Sequence, residues 1–367
     1  MTLLHLALVV VIFVLVVIGI RYFGPRFKNP SPGPPPGPAP RELYVADEGD
    51  TAIWVFGIDD FNSTLQVPPV RNIIGGALGD VGQTQLRYPI DISVDGGGTV
   101  FVLNQILDRD GSPLPQVSPV LIFPAGRGGN IAPFAAWDQT VFGANVPGCL
   151  AVSSNPNSLL LGVASGGPSV EQLDKFPQQP NNHALPGSFA LDAGFITGIA
   201  SKGPSFALVL TTQPENQPQY SVLFFAFTPD FGNGAANPSQ TITGPKSLLN
   251  RPQRITFGPD GSMYVTNWGD GEGSGSVTVY TPDANGNFQL AHRIGGPGSI
   301  NSRLSQPTGI AVGDDGTIYV ADVSQIKVFP ANSDGDVAPS QTVNMNTDIG
   351  MPLGAEITGL AFHIPKQ

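Results

Sequence analysis

One phrase recurs along this chain, and its period leaves few folds open. From Gln306 the sequence reads QPTGIAVGDDGTIYVADVSQIKVFPANSDGDVAPSQTV. Pro307 and Gly309 open an apolar strand at Ile310 to Val312, Asp315-Gly316 supplies a hairpin turn, and Ile318 to Ala321 returns as a second strand. A third strand (Ile326 to Phe329) and a fourth (Ser340 to Val343) follow. The same phrase starts at Arg251 as RPQRITFGPDGSMYVTNW, then SVTVYTPDANGN and AHRIGG, with 55 residues between Pro252 and Pro307. Self-similarity at this spacing, with four short strands per copy, predicts the blades of a β-propeller.

Earlier copies are weaker but legible at Tyr88 (YPIDISVDGGGTVFVLN), Val146 (VPGCLAVSSNPNSLLLGVA) and Ile196 (ITGIASKGPSFALVLTT). A sixth copy is split. The stretch from Glu42 (ELYVADEGDTAIWVFGID) is a blade without its first strand, and Ile357 to His363 (ITGLAFH) is a first strand without its blade. Pairing the two in one sheet closes the ring and removes the exposed edges that an open array presents. The expected fold is therefore all-β, a six-bladed propeller over residues 42–367 closed by its own ends.

The run of Pro-x-Gly, an apolar triplet, Asp-Gly and Tyr-Val-Ala-Asp resembles the NHL repeat family and the related six-bladed gluconolactonase-like propellers, most specifically in the last two copies. The segment Pro124 to Pro133, echoed at Pro330 to Pro339, resembles a blade-edge phrase of bacterial NHL-type proteins, which implies a bacterial source.

Two further segments precede the repeats. Leu3 to Ile20 is an uncharged apolar run that spans about 27 Å as a helix, enough for a bilayer core. No basic n-region precedes it and no small-x-small cleavage site follows, so residues 1–28 read as an uncleaved single-pass anchor rather than a signal peptide. Pro30 to Pro40 (PSPGPPPGPAP), within a stalk at 29–41, favours a polyproline II spacer of roughly 30 Å. Arg21, Arg26 and Lys28 after the helix favour a cytoplasmic propeller by the positive-inside rule. Low charge, six lysines and a sequon at Asn62-Ser63-Thr64 favour the extracytoplasmic side, which is the expectation adopted.

A net charge of −11 opposes a nucleic-acid partner, since phosphate binding needs a basic face. The single cysteine, Cys149, excludes an intrachain disulfide and reads as a buried core thiol. The four histidines (His5, His183, His292, His363) have no metal-ligand spacing. No nucleophile elbow, phosphate loop or dinucleotide fingerprint is present.

Candidate site residues come from the channel mouth, where the Pro-x-Gly positions align. The Gly is kept at Gly309, Gly359, Gly198 and Gly148 but replaced by Asp91 in the second blade and Arg254 in the fifth, which face each other in a six-fold ring. The pair either bridges the channel, grips a polar ligand, or satisfies loop groups blade by blade. Thr308, Thr358, Thr197 and Pro147 stand just before the Gly, and the three threonines join the ligand-binding candidates. The gluconolactonase resemblance implies a channel metal held by acidic and Asn side chains, a set these positions do not reproduce. Asp47, Asn104, Asn267 and Asp322 end the second strand in four blades and read as structural groups bonding nearby amides. Calcium is possible at Asp108-Arg109-Asp110-Gly111 or Asn267 to Glu272, though neither completes a known loop pattern, and otherwise no cofactor is expected.

The function expected is a membrane-anchored, surface-displayed binding or scaffold module for a protein, glycan or small ligand, without catalysis. The alternatives are a gluconolactonase-like metal-dependent hydrolase with its site at the channel mouth, and a surface protein that packs into arrays.

Overall fold

The computed structural model describes residues 41–58, 68–75, 82–107, 117–142, 145–154, 157–165, 169–174, 187–191, 194–213, 217–227, 237–347 and 355–363. The apolar run Leu3 to Ile20, the stalk, the Asn62 sequon and the Asp108 to Gly111 loop lie outside these residues. Among the described residues no helix is long and apolar enough to cross a membrane.

Each copy of the phrase builds one four-stranded antiparallel sheet, and there are six. Blade 1 contains β1 (Glu42–Asp47), β2 (Ala52–Gly57) and β3 (Arg71–Ile74), and blade 2 contains β4 (Pro89–Val94), β5 (Val100–Asn104), β6 (Val120–Phe123) and β7 (Ala135–Trp137). Blade 3 runs through β8 (Val146–Ser154), β9 (Asn157–Ser165), β10 (Ser169–Asp174) and β11 (Gly187–Ala190), and blade 4 through β12 (Phe195–Lys202), β13 (Ser205–Thr212), β14 (Gln219–Ala226) and β15 (Gln240–Thr243). Blade 5 comprises β16 (Pro252–Phe257), β17 (Met263–Asn267), β18 (Ser276–Pro282) and β19 (Phe288–Gly295). Blade 6 comprises β20 (Pro307–Val312), β21 (Ile318–Asp322), β22 (Gln325–Phe329) and β23 (Gln341–Asn344). The last strand, β24 (Ile357–His363), returns to blade 1 and pairs with β1, Glu42 opposite His363 and Ala46 opposite Gly359. The ring is closed by its two ends, as the split sixth copy predicts.

Side chains alternate across each strand, so one strand feeds two blade interfaces. Leu43 and Val45 of β1 pack with Tyr319 and Val328 of blade 6, while Tyr44 and Ala46 pack with Val102 and Phe123 of blade 2. The same division repeats around the ring as six apolar clusters, one at each junction between neighbouring blades. This is why the middle strands read as unbroken apolar runs: both faces are covered. Cys149 is buried in the cluster between blades 3 and 4, and burial pushes its thiol up to about 12.

The blade-edge phrase has a defined task. Gly129 pairs with Ile73 and Gly335 with Ile294 in parallel bridges, so the loop before the fourth strand of one blade covers the outer edge of the blade before it. Gly335 N donates to Arg293 O at 2.8 Å, and Gly335 O accepts from Gly295 N at 2.9 Å. Asn130 and Asp336, one residue later, hold the inter-blade loops: Asn130 Oδ1 accepts from Gln83 N at 2.7 Å, and Asp336 Oδ1 from Asn301 N at 2.8 Å. Between blades 4 and 5 a tight turn replaces the phrase, and a side chain takes its place. The Gln240 carboxamide donates to Phe288 O and accepts from Phe288 N, both at 2.7 Å, imitating the missing backbone bridge.

Candidate functional site

The six innermost strands start together at one end of the central channel and run in the same direction. Their starts are tied across neighbours: Thr358 Oγ1 donates to Pro89 O at 2.7 Å, Thr197 Oγ1 to Pro252 O at 3.0 Å, and Thr308 Oγ1 to Ile357 O at 2.5 Å. Each threonine of the motif therefore stitches its blade to the next one. Gly359 and Gly309 sit beside them because a Cβ at either place meets the adjacent innermost strand at 3.1 to 3.2 Å. The hairpin turns at Gly98, Gly261 and Gly316 lie at the opposite end.

Asp91 and Arg254 meet across the channel, with Arg254 Nε 3.6 Å from Asp91 Oδ1. Both groups also serve neighbouring backbones. Asp91 Oδ2 accepts from Leu150 N of blade 3 and Oδ1 from Ile92 N, each at 2.9 Å. Arg254 donates to Ile90 O of blade 2 at 2.8 Å and to Thr197 O of blade 4. The pair thus joins four blades and closes one end of the channel. Burial raises the Asp91 carboxyl above the usual range, and the Arg254 charge and the two amides pull against it. Below the pair lies a cavity of ≈ 290 Å³, lined by one side of every innermost strand, among them Val94, Val152, Ser201, Phe257, Val312 and Phe362.

A channel metal does not fit this end. The guanidinium of Arg254 stands where a cation would bind, both Asp91 oxygens accept N–H groups, and the three threonine hydroxyls are donated to carbonyls. Among the described residues no group of three or more His, Cys, Asp or Glu side chains converges.

The groups that end the second strands bond as their sequence positions foretell. Asn104 Oδ1 accepts from Arg87 N, Asn267 Oδ1 from Asn250 N, both at 3.0 Å, and Asp322 Oδ1 from Gln306 N at 2.7 Å. Asp47 Oδ1 accepts from Glu356 N at 3.1 Å. Each pins the loop that enters its own blade.

The NHL repeat family matches residues 304–325, which carry Pro307, Gly309, the Asp-Gly turn and Asp322. The chain is a six-bladed propeller carrying an NHL repeat. The fold is shared with a protein of unknown function from Bacteroides caccae (13% identity, 89% of this chain and 99% of that one, TM-score 0.51). It is shared equally with a Bacteroides uniformis protein provisionally assigned as a 6-phosphogluconolactonase (12% identity, 88% and 99%, TM-score 0.51). At this identity the likeness shows the fold alone and leaves the source of the chain open. A search of the curated proteins returns no match.

The face around the closed end carries a feature that the sequence motifs miss. A groove of ≈ 350 Å³ between blades 5 and 6 is lined by Arg251, Trp268, Gly269, Asp270, Gly271, Glu272, Ser305 and Gln306. The Arg251 guanidinium lies over the Trp268 ring, 5.3 Å from its centroid. Asp270 is held by Asn250 Nδ2 at 2.7 Å. Across the ring, Arg87 lies over Tyr88 in the same manner at 5.8 Å. The sequence signal was the Trp in WGDGE directly after a second strand, together with an Arg just before the Pro that opens the same phrase.

Proposed function

We propose that the propeller is a non-enzymatic binding module for a protein partner, and that the partner docks on the face around the closed channel end, centred on the Trp268 groove. One observation carries this reading. Of the eight non-glycine residues with left-handed φ among the described residues, seven (Thr51, Gln85, Tyr88, Leu248, Arg251, Arg303 and Val323) lie in the turns and inter-blade loops of this one face. Side chains in that conformation are strained, and such strain concentrates where loops are shaped for a task. The same face holds four of the six exposed large apolar side chains among the described residues: Phe195, Leu248, Ile300 and Val323. Exposed apolar side chains beside Trp, Tyr and Arg are the composition of interaction hot spots.

The chain enters the propeller at Arg41, which pairs with Asp314 of a hairpin turn at the other end. The proposal keeps a membrane anchor at Leu3 to Ile20 and an extracytoplasmic propeller, on the sequence alone. The hydrolase alternative places a metal at the channel mouth, where Arg254 stands; a calcium ion in the Asn267 to Glu272 loop is a separate possibility that the assay below includes.

The test is a titration of the full-length chain with peptide, glycan and lactone panels, with and without Ca²⁺ and EDTA, read by tryptophan fluorescence and melting temperature. Binding that is lost in Trp268→Phe and Arg251→Ala but kept in a hairpin-face variant, Asp260→Ala, supports the docking face. Lactone turnover that EDTA abolishes sinks it in favour of the hydrolase.

A further inference from the structure

The channel has a second end, and its chemistry differs from that of the closed one. Below the Asp91–Arg254 pair the shaft is held open by a sequence rule. Each innermost strand follows its buried Ile or Leu with a small residue, in turn Ser93, Ala151, Ala200, Thr256, Ala311 and Ala361. Next comes an apolar collar of Val94, Val152, Phe257, Val312 and Phe362. Phe257 and Phe362 are half-buried, whereas Ile92 and Leu360 nearer the pair are buried, so the cavity opens among the hairpin turns.

The residues one step beyond the collar form the rim. Gly258 and Gly313 add no side chain there, and Ser153 is buried. Asp95 turns back into its own hairpin, where Oδ1 accepts from Gly97 N at 2.8 Å and from Thr99 N at 2.9 Å. That leaves Lys202 and His363, which come from blades 4 and 1 and so oppose each other in a six-fold ring. Each leans on the hairpin turn of the next blade. A Cβ on Gly98 would meet His363 Nε2 at 3.2 Å, and a Cβ on Gly261 would collide with Lys202 Nζ. Lys202 Nζ also lies 6.0 Å from the centroid of the Phe257 ring.

Among the described residues no carboxylate pairs with Lys202. The other acidic groups of the described hairpin turns are engaged elsewhere: Asp260 with Ser262 N and Oγ, Asp314 with Arg41, and Asp315 with Thr317 N. At the floor the Arg254 charge is met by Asp91. Lys202 is therefore an unmatched positive charge beside a collar of apolar side chains. Apolar walls with a few placed polar groups are the composition of small-molecule pockets.

We propose that this open end of the channel is a binding pocket for a small aryl or branched-alkyl carboxylate. The carboxylate accepts from Lys202 Nζ, with the His363 imidazole across the rim, and the apolar body enters the collar beside Phe257 and Phe362. Seating an apolar group there removes its surface from water, and the charge fixes which end of the molecule stays at the rim. The entrance is at the opposite end of the channel from the Trp268 groove, so this pocket and the protein-docking face stand or fall separately.

NMR titration of ligand signals against the full-length chain tests the assignment, with phenylacetate, neutral phenylacetamide and cationic phenethylamine as probes. Phenylacetate is expected to bind at one site, about fivefold or more tightly than either analogue, the size of one exposed ion pair. Lys202→Met is expected to keep the wild-type melting temperature and erase the preference for phenylacetate over phenylacetamide. Thr256→Phe, which fills the shaft, is expected to abolish binding of all three; if that variant does not fold, Lys202→Met decides alone. Trp268→Phe is expected to leave every affinity unchanged. The proposal is overturned if phenylacetate does not bind, if the three probes bind equally, if the preference survives in Lys202→Met, or if Trp268→Phe removes the binding.

Discussion

Blades 1 and 6 share a register and a junction, yet they are assembled differently. Blade 6 is one continuous stretch in which β20 to β23 follow in order, and blade 1 draws β24 from the far end of the chain to complete β1 to β3. In blade 6 the buried Asp322 is neutralised by Lys327, five residues further along on the strand that follows the turn. In blade 1 Asp47 instead receives Glu356 N, a contact that exists only when the ends of the propeller meet. A continuous blade carries its stabilising charge in local sequence. The composite blade makes its own completeness the condition for holding the ring.

Removing Ile357 to Gln367 breaks this comparison most severely. The deletion strips β1 of its partner and exposes the faces of Leu43, Val45 and Phe56 packed around Ile357 and Leu360. Each large apolar side chain so uncovered costs about 1.5–3 kcal/mol, so a few of them reach the whole stability of a typical domain. The expected outcome is loss of the cooperative thermal transition by calorimetry. A truncated chain that still melts cooperatively near the wild-type temperature would show that closure contributes little.

The charge in blade 6 is tested by Lys327→Met. It leaves Asp322 buried and unpaired, at a cost of about 3–5 kcal/mol. Adding Asp322→Asn is expected to restore most of this, because Asn104 and Asn267 hold the same place without a cation. Denaturant unfolding of the single and double variants reads the difference; a double variant as weak as the single one means that Lys327 acts by packing and by its bond to Arg303 O rather than by charge.

Smaller effects are expected where one hydroxyl joins two blades. Thr308→Val removes the bond to Ile357 O at the 6/1 junction, and Thr358→Val the bond to Pro89 O at the 1/2 junction. Each deletes one neutral hydrogen bond and leaves a carbonyl beside the channel, so each is expected to cost about 1 kcal/mol. If both matter only through that bond, their midpoints in denaturant fall equally. A larger loss for Thr308→Val shows that the closing strand is held less well than an ordinary innermost strand.

The ring itself was readable because its repeat encodes turns and alternation together. The fourth strand expected at Ser340 to Val343 is found at Gln341–Asn344, and the split copy paired as its halves required. The meeting of Asp91 and Arg254 followed from counting blades, since the second and fifth positions of six are opposed. The partners of the threonines did not follow, because they are backbone carbonyls and the sequence carries no mark for them. Gln240 was hidden for a related reason: it replaces an absent backbone bridge. Trp268 stood in view but was grouped with its carboxylates as a possible cation loop, whereas its contact is Arg251, from the loop entering the blade.

The smallest expected change in stability is at that loop, and it separates folding from function. Arg251 is exposed, holds φ at 53°, and immediately precedes the Pro that opens blade 5, as Tyr88 with φ at 45° does in blade 2. A left-handed arginine costs about 1–2 kcal/mol that glycine does not incur, while glycine adds about 0.5–1 kcal/mol of backbone entropy to lose on folding. Arg251→Gly is therefore expected to melt slightly higher than the wild type, by no more than about 1 kcal/mol, and to lose the partner that docks at the Trp268 groove. Blade 6 has Gln306 at the same position without the strain, so Gln306→Gly is expected to lower stability instead. Thermal midpoints of opposite sign for the two variants mark Arg251 as a residue kept against the interest of the fold. Midpoints of the same sign mean that its conformation is only what the loop requires.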